Sequence, residues 1–236
     1  MEPVDVAREL VRQRFPGASW AMLTGSVLSA ARTAGSDLDI VVMRPGGPAF
    51  RESLRYRGWP VELFVQNPER LAGFLERELA ARKPSTHRML ARGAVLFGDP
   101  GDLPARCARV LADGPGPLPQ EEKDRLRYGL TDLLDDLEHV TDPGERLVIA
   151  AAVWTDAGRA ALAFAGRWVS GGKWLLRELR EYDPALAGDW LAARDEPAAF
   201  ADGVLDRYGG RLFEGFSSSP SPARPSGPGP RRRTWS

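Results

Sequence analysis

At 236 residues the chain is long enough for one large domain or two small ones with a buried core, and 43% hydrophobic with 27% charged residues is a globular composition. No uninterrupted apolar run reaches the ~18 residues of a membrane-spanning helix, and one cysteine (Cys107) with two histidines excludes an intrachain disulfide and a Cys/His zinc site. The formal net charge is zero, but residues 217–236 carry four arginines and no acid, so the remainder stands at −4, which argues against a surface built to bind nucleic acid.

The start, Met1-Glu2-Pro3-Val4-Asp5, is acidic and interrupted, unlike a secretory signal, so a cytoplasmic protein is expected. Val6, Leu10, Val11 and Phe15 share one face of a first helix ended by Pro16-Gly17. Ser19 to Leu23 reads as an apolar strand running into Thr24-Gly25-Ser26, with a short helix after it. Leu38 to Met43 reads as a second strand, stopped by Pro45-Gly46-Gly47-Pro48. Residues 51–57 and 61–65 form a hairpin around Gly58-Trp59-Pro60. Helix formers run from Pro68 to about Arg82, a shorter helix follows near Thr86–Ala91, and Ala94 to Phe97 closes the sheet.

Residues 99–119 are rich in Gly, Pro and Asp and mark a linker between domains. Beyond it the pattern is helical. Leu126, Leu130, Leu133, Leu134 and Leu137 form a stripe, and Asp142-Pro143 opens an alanine-rich helix, Glu145 to Trp168, suited to the centre of a bundle. Further helices are expected at Lys173–Tyr182, Pro184–Arg194 and Pro197–Arg207, and the Ser/Pro/Gly/Arg tail, 217–236, is expected to be disordered. The fold class is therefore α/β (α+β). Residues 1–98 form a mixed sheet flanked by helices, and residues 120–216 form a helical bundle.

The chemistry concentrates in residues 25–42. A strand ending in Gly25-Ser26 and turning into a helix presents backbone N–H groups to phosphate oxygens, with the Ser26 hydroxyl as a further donor. Ten residues on, Asp37 and Asp39 enter an apolar strand at a spacing of two, which puts both carboxylates on one face. Two carboxylates side by side repel unless a cation lies between them, and oxygen-only ligands beside a phosphate cradle select Mg²⁺. Glu62 interrupts the apolar strand Val61–Val65 with the same alternation, so it is the candidate third acid, as metal ligand or as the base for an attacking hydroxyl.

Gly-Ser, about ten residues, Asp-x-Asp and a later strand acid resemble the signature of the DNA polymerase β-like nucleotidyltransferase superfamily, over roughly residues 19–65 by motif and to about 98 by element pattern. With a helical second domain of this length, the chain looks like the small-molecule branch that includes aminoglycoside adenylyltransferases. The resemblance implies transfer of a nucleoside monophosphate from an NTP, ATP first, to a hydroxyl of a small acceptor, with pyrophosphate released. It implies that Gly25, Ser26 and Ser36 hold the nucleotide, that Asp37 and Asp39 bind Mg²⁺, and that Glu62 is the third acid, ligand in some relatives and base in others. Many members carry Ala-Arg-Gly after Gly-Ser. Here Val27 to Ala31 intervene, and Arg32 is the arginine of that loop.

Other residues bear on the acceptor. Lys173, one of three lysines, follows Gly171-Gly172 at a helix start and either reaches the triphosphate across a cleft or is an exposed lysine. Asp132, Asp135, Asp136 and Glu138 form an acidic helix face, suited to a cationic acceptor or simply solvated. Trp154, Trp168, Trp174 and Trp190 line an acceptor pocket or, for the most part, fill the bundle core. His87 reads as a surface residue, and His139 ends a helix. Competing functions are a protein-modifying, antitoxin-like transferase and an inactive nucleotide-binding module; neither membrane nor nucleic acid is an expected partner.

Overall fold

The computed structural model describes residues 2–30 and 32–217; apart from Ser217, the expected disordered tail lies outside them. The chain opens with α1 (Pro3–Arg14) and β1 (Trp20–Thr24), then a single 3-10 turn (Ser26–Leu28) and β2 (Leu38–Met43). The hairpin β3 (Phe50–Tyr56) and β4 (Trp59–Gln66) is followed by α2 (Pro68–Ala80), α3 (Ser85–Arg92) and β5 (Ala94–Gly98). Six helices complete the described chain: α4 (Leu103–Asp113), α5 (Gln120–His139), α6 (Pro143–Phe164), α7 (Lys173–Tyr182), α8 (Pro184–Ala192) and α9 (Ala198–Asp206). This is an α/β architecture: a mixed sheet with flanking helices, followed by a helical part.

The five strands lie in the order β3-β4-β2-β1-β5. All pairings are antiparallel except β2 with β4, which run parallel in the register Leu38↔Val61, Asp39↔Glu62, Ile40↔Leu63. Strand parity divides the side chains between two faces. Ala21, Leu23, Leu38, Ile40, Val42, Val61, Leu63 and Val65 pack against Val6, Leu10 and Val11 of α1. Trp20, Met22, Val41 and Met43 point the other way, onto Leu71 of α2, Leu90 of α3 and Cys107 of α4. The interior strand β1, between β2 and β5, is buried along its whole length, as its apolar run Trp20–Leu23 requires. Asp39 and Glu62 belong to the face covered by α2, α3 and α4.

The stretch marked as a linker, 99–119, holds an eleven-residue helix, α4, that buries Cys107 against the sheet. Its prolines and glycines punctuate that helix. Pro104 sits in the first turn and Gly114 follows the last with φ +76°. Composition alone does not separate helix punctuation from linker chemistry.

In the helical part, Leu130, Leu134 and Leu137 of α5 pack with Val153, Ala157 and Ala160–Phe164 of α6 and with α7, α8 and α9. Asp142 caps α6, accepting from the Glu145 N–H at 2.8 Å. By length and composition α6 is apolar enough to cross a membrane, with a window of mean hydropathy 1.4 of which 44% is buried in this fold. The run count overlooks it because Asp156 and Arg159 interrupt the run. Trp154 and Trp190 stack at 4.0 Å, and each indole N–H donates to the other's carbonyl. Trp168 donates to Leu111 O, and Trp174 lies under Arg88 and Arg177. Trp154 and Trp190 pack in the core of the helical part, whereas Trp168 and Trp174 are half-buried outside it.

Candidate metal and phosphate site

β1 ends at Thr24, whose hydroxyl donates to the Asp39 carbonyl at 3.1 Å, and Gly25 follows with φ +88°. A Cβ at Gly25 would be strained there and would also meet the Asp39 carboxyl group, its Cγ at 3.1 Å, so the position needs glycine twice over. The element after Gly25-Ser26 is one 3-10 turn, not the short helix expected. Three residues sum to little dipole, so what this turn can offer an anion is its backbone N–H groups and hydroxyls. Ser36 is buried, 3.2 Å from the Ser26 hydroxyl, and accepts from the Thr33 N–H at 3.0 Å, bracing the loop between the Gly-Ser turn and the aspartates. The Arg32 guanidinium lies 5.4 Å from the ring of Trp59, which packs against the core on the α1 side, opposite Glu62.

Asp37, Asp39 and Glu62 come together. One oxygen from each carboxylate lies within 4.8 Å of the others, and all three residues are half-buried. The parallel β2–β4 register brings this about, because Asp39 and Glu62 are direct partners and their side chains leave the sheet on the same face. Asp37 is two residues before Asp39, on that face too. Burial, then the charges of Asp37 and Glu62, push the Asp39 carboxyl up to about 6, while Arg51 and Lys173 pull it back. Three acids with oxygen-only donors, more negative charge than their surroundings neutralise, and a floor left open by Gly25 fit a hard divalent cation.

Two cations face the acids. Lys173, the first residue of α7, stands close enough for its ammonium to act on Asp39. Arg51 of β3 forms an ion pair with Glu62 and lies 4.9 Å over the Phe64 ring. Sequence reading overlooks Arg51, although a signal exists in the hairpin. Its register sets Ser53 opposite Glu62 and Arg51 opposite Phe64, so Arg51, Ser53 and Glu62 share a face.

α7 is held to the sheet side of the molecule by a buried network. Arg88 of α3 pairs with Glu178 of α7 and donates to Ser170 Oγ at 2.6 Å. Glu178 accepts from the Ser170 N–H at 2.7 Å, and the Val169 N–H donates to Arg82 O at 3.1 Å. A cavity of about 310 Å³ lined by Arg88, Arg167, Trp168, Glu178 and Tyr182 adjoins this network and includes none of the three acids.

One expectation is corrected. His87 is 3% exposed, its Nδ1 3.4 Å from Glu78, because Thr86 caps itself on the same carboxylate and draws the first turn of α3 inward. On the acidic face of α5, Asp132 and Asp136 are exposed, and the chain's own Arg211 pairs with Asp135 at 3.1 Å and Glu138 at 2.6 Å, as on a solvated helix surface.

The raised Asp39 carboxyl has a pH consequence. A folded-state value of about 6 against 3.8 unfolded means that the native state holds its proton longer, so stability falls as pH rises through that window. In chelator, the wild type is expected to lose about 1–2 kcal/mol relative to Asp39→Asn between pH 4 and pH 7, allowing for solvent screening of a half-buried group. Urea unfolding of both proteins across that range checks it; a wild type that gains on the variant would refute it.

No protein-family model matches the chain, and no curated protein matches it. Among solved structures it is similar to a nucleotidyltransferase-like protein from Exiguobacterium sibiricum, at 12% identity and a TM-score of 0.43, over 86% of this chain and 73% of that one.

Proposed function

We propose that the chain is a Mg²⁺-dependent nucleotidyltransferase that moves a nucleoside monophosphate, AMP from ATP, onto a hydroxyl of a small molecule and releases pyrophosphate. The observation that carries this is the convergence of Asp37, Asp39 and Glu62 on one sheet face beside the Gly25-Ser26 turn. Asp37 and Asp39 would hold the cation, with Glu62 as a third ligand or as the base. Mg²⁺ bound there supplies neutralisation of the charge on the α-phosphate and the departing pyrophosphate.

The chain's own groups supply the rest. Gly25 lets the backbone approach the triphosphate, Ser26 donates its hydroxyl, and Ser36 keeps the loop in place. Lys173 offers an ammonium from the helical part to the phosphates. A bond forms between the acceptor oxygen and the α-phosphorus as the bond to the β-phosphate oxygen breaks. Glu62, where it serves as base, takes the hydroxyl proton.

ATP labelled at the α-phosphate, Mg²⁺, the purified chain and a mixed extract with added amino sugars form the test, with the label followed into small-molecule and protein fractions. Label in small molecules that depends on Asp37 and Asp39 is the expected result. Label in protein would replace the acceptor class with a polypeptide hydroxyl, and no label in either fraction would remove transferase activity from consideration.

A further inference from the structure

We propose that Arg51 is a built-in counter-cation, held on Glu62 while the acid cluster is free of metal and displaced from it when a divalent ion binds. This rests on the metal reading of Asp37, Asp39 and Glu62. Among the described residues, the Arg51–Glu62 contact is the one ion pair that any of the three acids makes. It involves the carboxylate that a third ligand position would need.

Its placement suits exchange. β3 is an edge strand of the sheet, so no strand beyond it confines its side chains. The Arg51 side chain is 61% exposed and that of Glu62 28% exposed. A solvent-exposed ion pair in that setting is weak, and the stack over Phe64 is comparably weak. A doubly charged ion bound by three carboxylates exceeds both. The Arg–Glu pair between α3 and α7 behaves oppositely: Arg88 and Glu178 are 11% and 8% exposed and are braced by Ser170, an arrangement that does not open without a large cost. One pair is built as a bond and the other as a placeholder.

The placeholder has two effects. It offsets part of the repulsion among the acids in the metal-free protein, and it taxes metal binding, because the guanidinium has to leave. Substituting Arg51 therefore tightens metal binding, the reverse of what a substitution at a merely supporting residue does.

Mn²⁺ titrated by calorimetry or paramagnetic resonance into the full chain without nucleotide tests this, using wild type, Arg51→Met, Arg51→Gln and the double variant Asp37→Asn/Asp39→Asn. Methionine keeps an unbranched stem over Phe64, glutamine keeps a polar tip, and melting curves report whether each variant is folded. The wild type is expected to bind Mn²⁺ and the double variant to lose it, with both Arg51 variants binding roughly three- to tenfold more tightly than wild type. Unchanged or weaker binding in the folded Arg51 variants overturns the placeholder and leaves the metal site standing. Wild-type Mn²⁺ binding that is absent, or indifferent to the two aspartates, overturns the metal reading and the placeholder with it.

Discussion

Replacing either Asp37 or Asp39 with asparagine is expected to lower nucleotidyl transfer at least about a thousandfold, equivalent to roughly 4 kcal/mol of transition-state stabilisation, with the fold intact. Each carboxylate would be a ligand to the cation, and an amide brings neither the charge nor comparable affinity. Neither side chain belongs to a hydrophobic core, and in Asp39→Asn the substitution also removes a charge that burial and two neighbouring acids oppose. The two measurements should therefore move apart: turnover collapses while the melting temperature holds or rises. A variant that keeps a tenth of wild-type turnover would show that the acids do not carry the chemistry. One that unfolds would show that they are structural.

The largest effect on stability is expected at Glu178. Truncation to alanine leaves the Arg88 guanidinium buried without its partner and orphans the Ser170 N–H. The expected cost is about 3–5 kcal/mol in urea unfolding. Burial pushes the Glu178 carboxyl up and Arg88 pulls it down, so the pair is held against its own desolvation and depends on both members. Because Glu178 and Lys173 share α7, transfer should also fall by more than any loss of folded protein explains. Glu178→Gln can still accept from the Ser170 N–H, so it should lose less of both. A loss below about 1 kcal/mol in Glu178→Ala would mean that the helical part is held elsewhere.

The main elements and the three acids were legible in the sequence because both follow from local rules. Strand parity put Asp37, Asp39 and Glu62 on coherent faces, and proline and cap residues located α6 and α7 to within a few residues. The errors arose where a local pattern has two physical meanings. Gly and Pro around Cys107 punctuate α4, although the same residues also compose linkers. His87 looked exposed beside Lys83-Pro84-Ser85, but its exposure is decided by Glu78 on the preceding helix. Arg51 reads as an ordinary charge on an edge strand until the hairpin register sets it diagonal to Glu62. The Arg88–Glu178 pair joins residues 90 positions apart and has no local signature at all.

The parallel pairing of β2 with β4 implies a rule of spacing. The number of residues between Asp39 and Glu62 is not fixed by the site, since the chain between them passes through two turn tips, Gly47 between β2 and β3, where a Cβ would meet only the end of the Arg44 side chain, and Gly58 between β3 and β4, which has open space around it. What is fixed is odd and even. A residue added at either tip leaves the acids where they are, whereas one added within β4 between Val61 and Glu62 shifts the strand by one and turns the third acid toward α1, into the apolar layer. The distance between the acids along the chain is free to drift, and their parity within the strands is not.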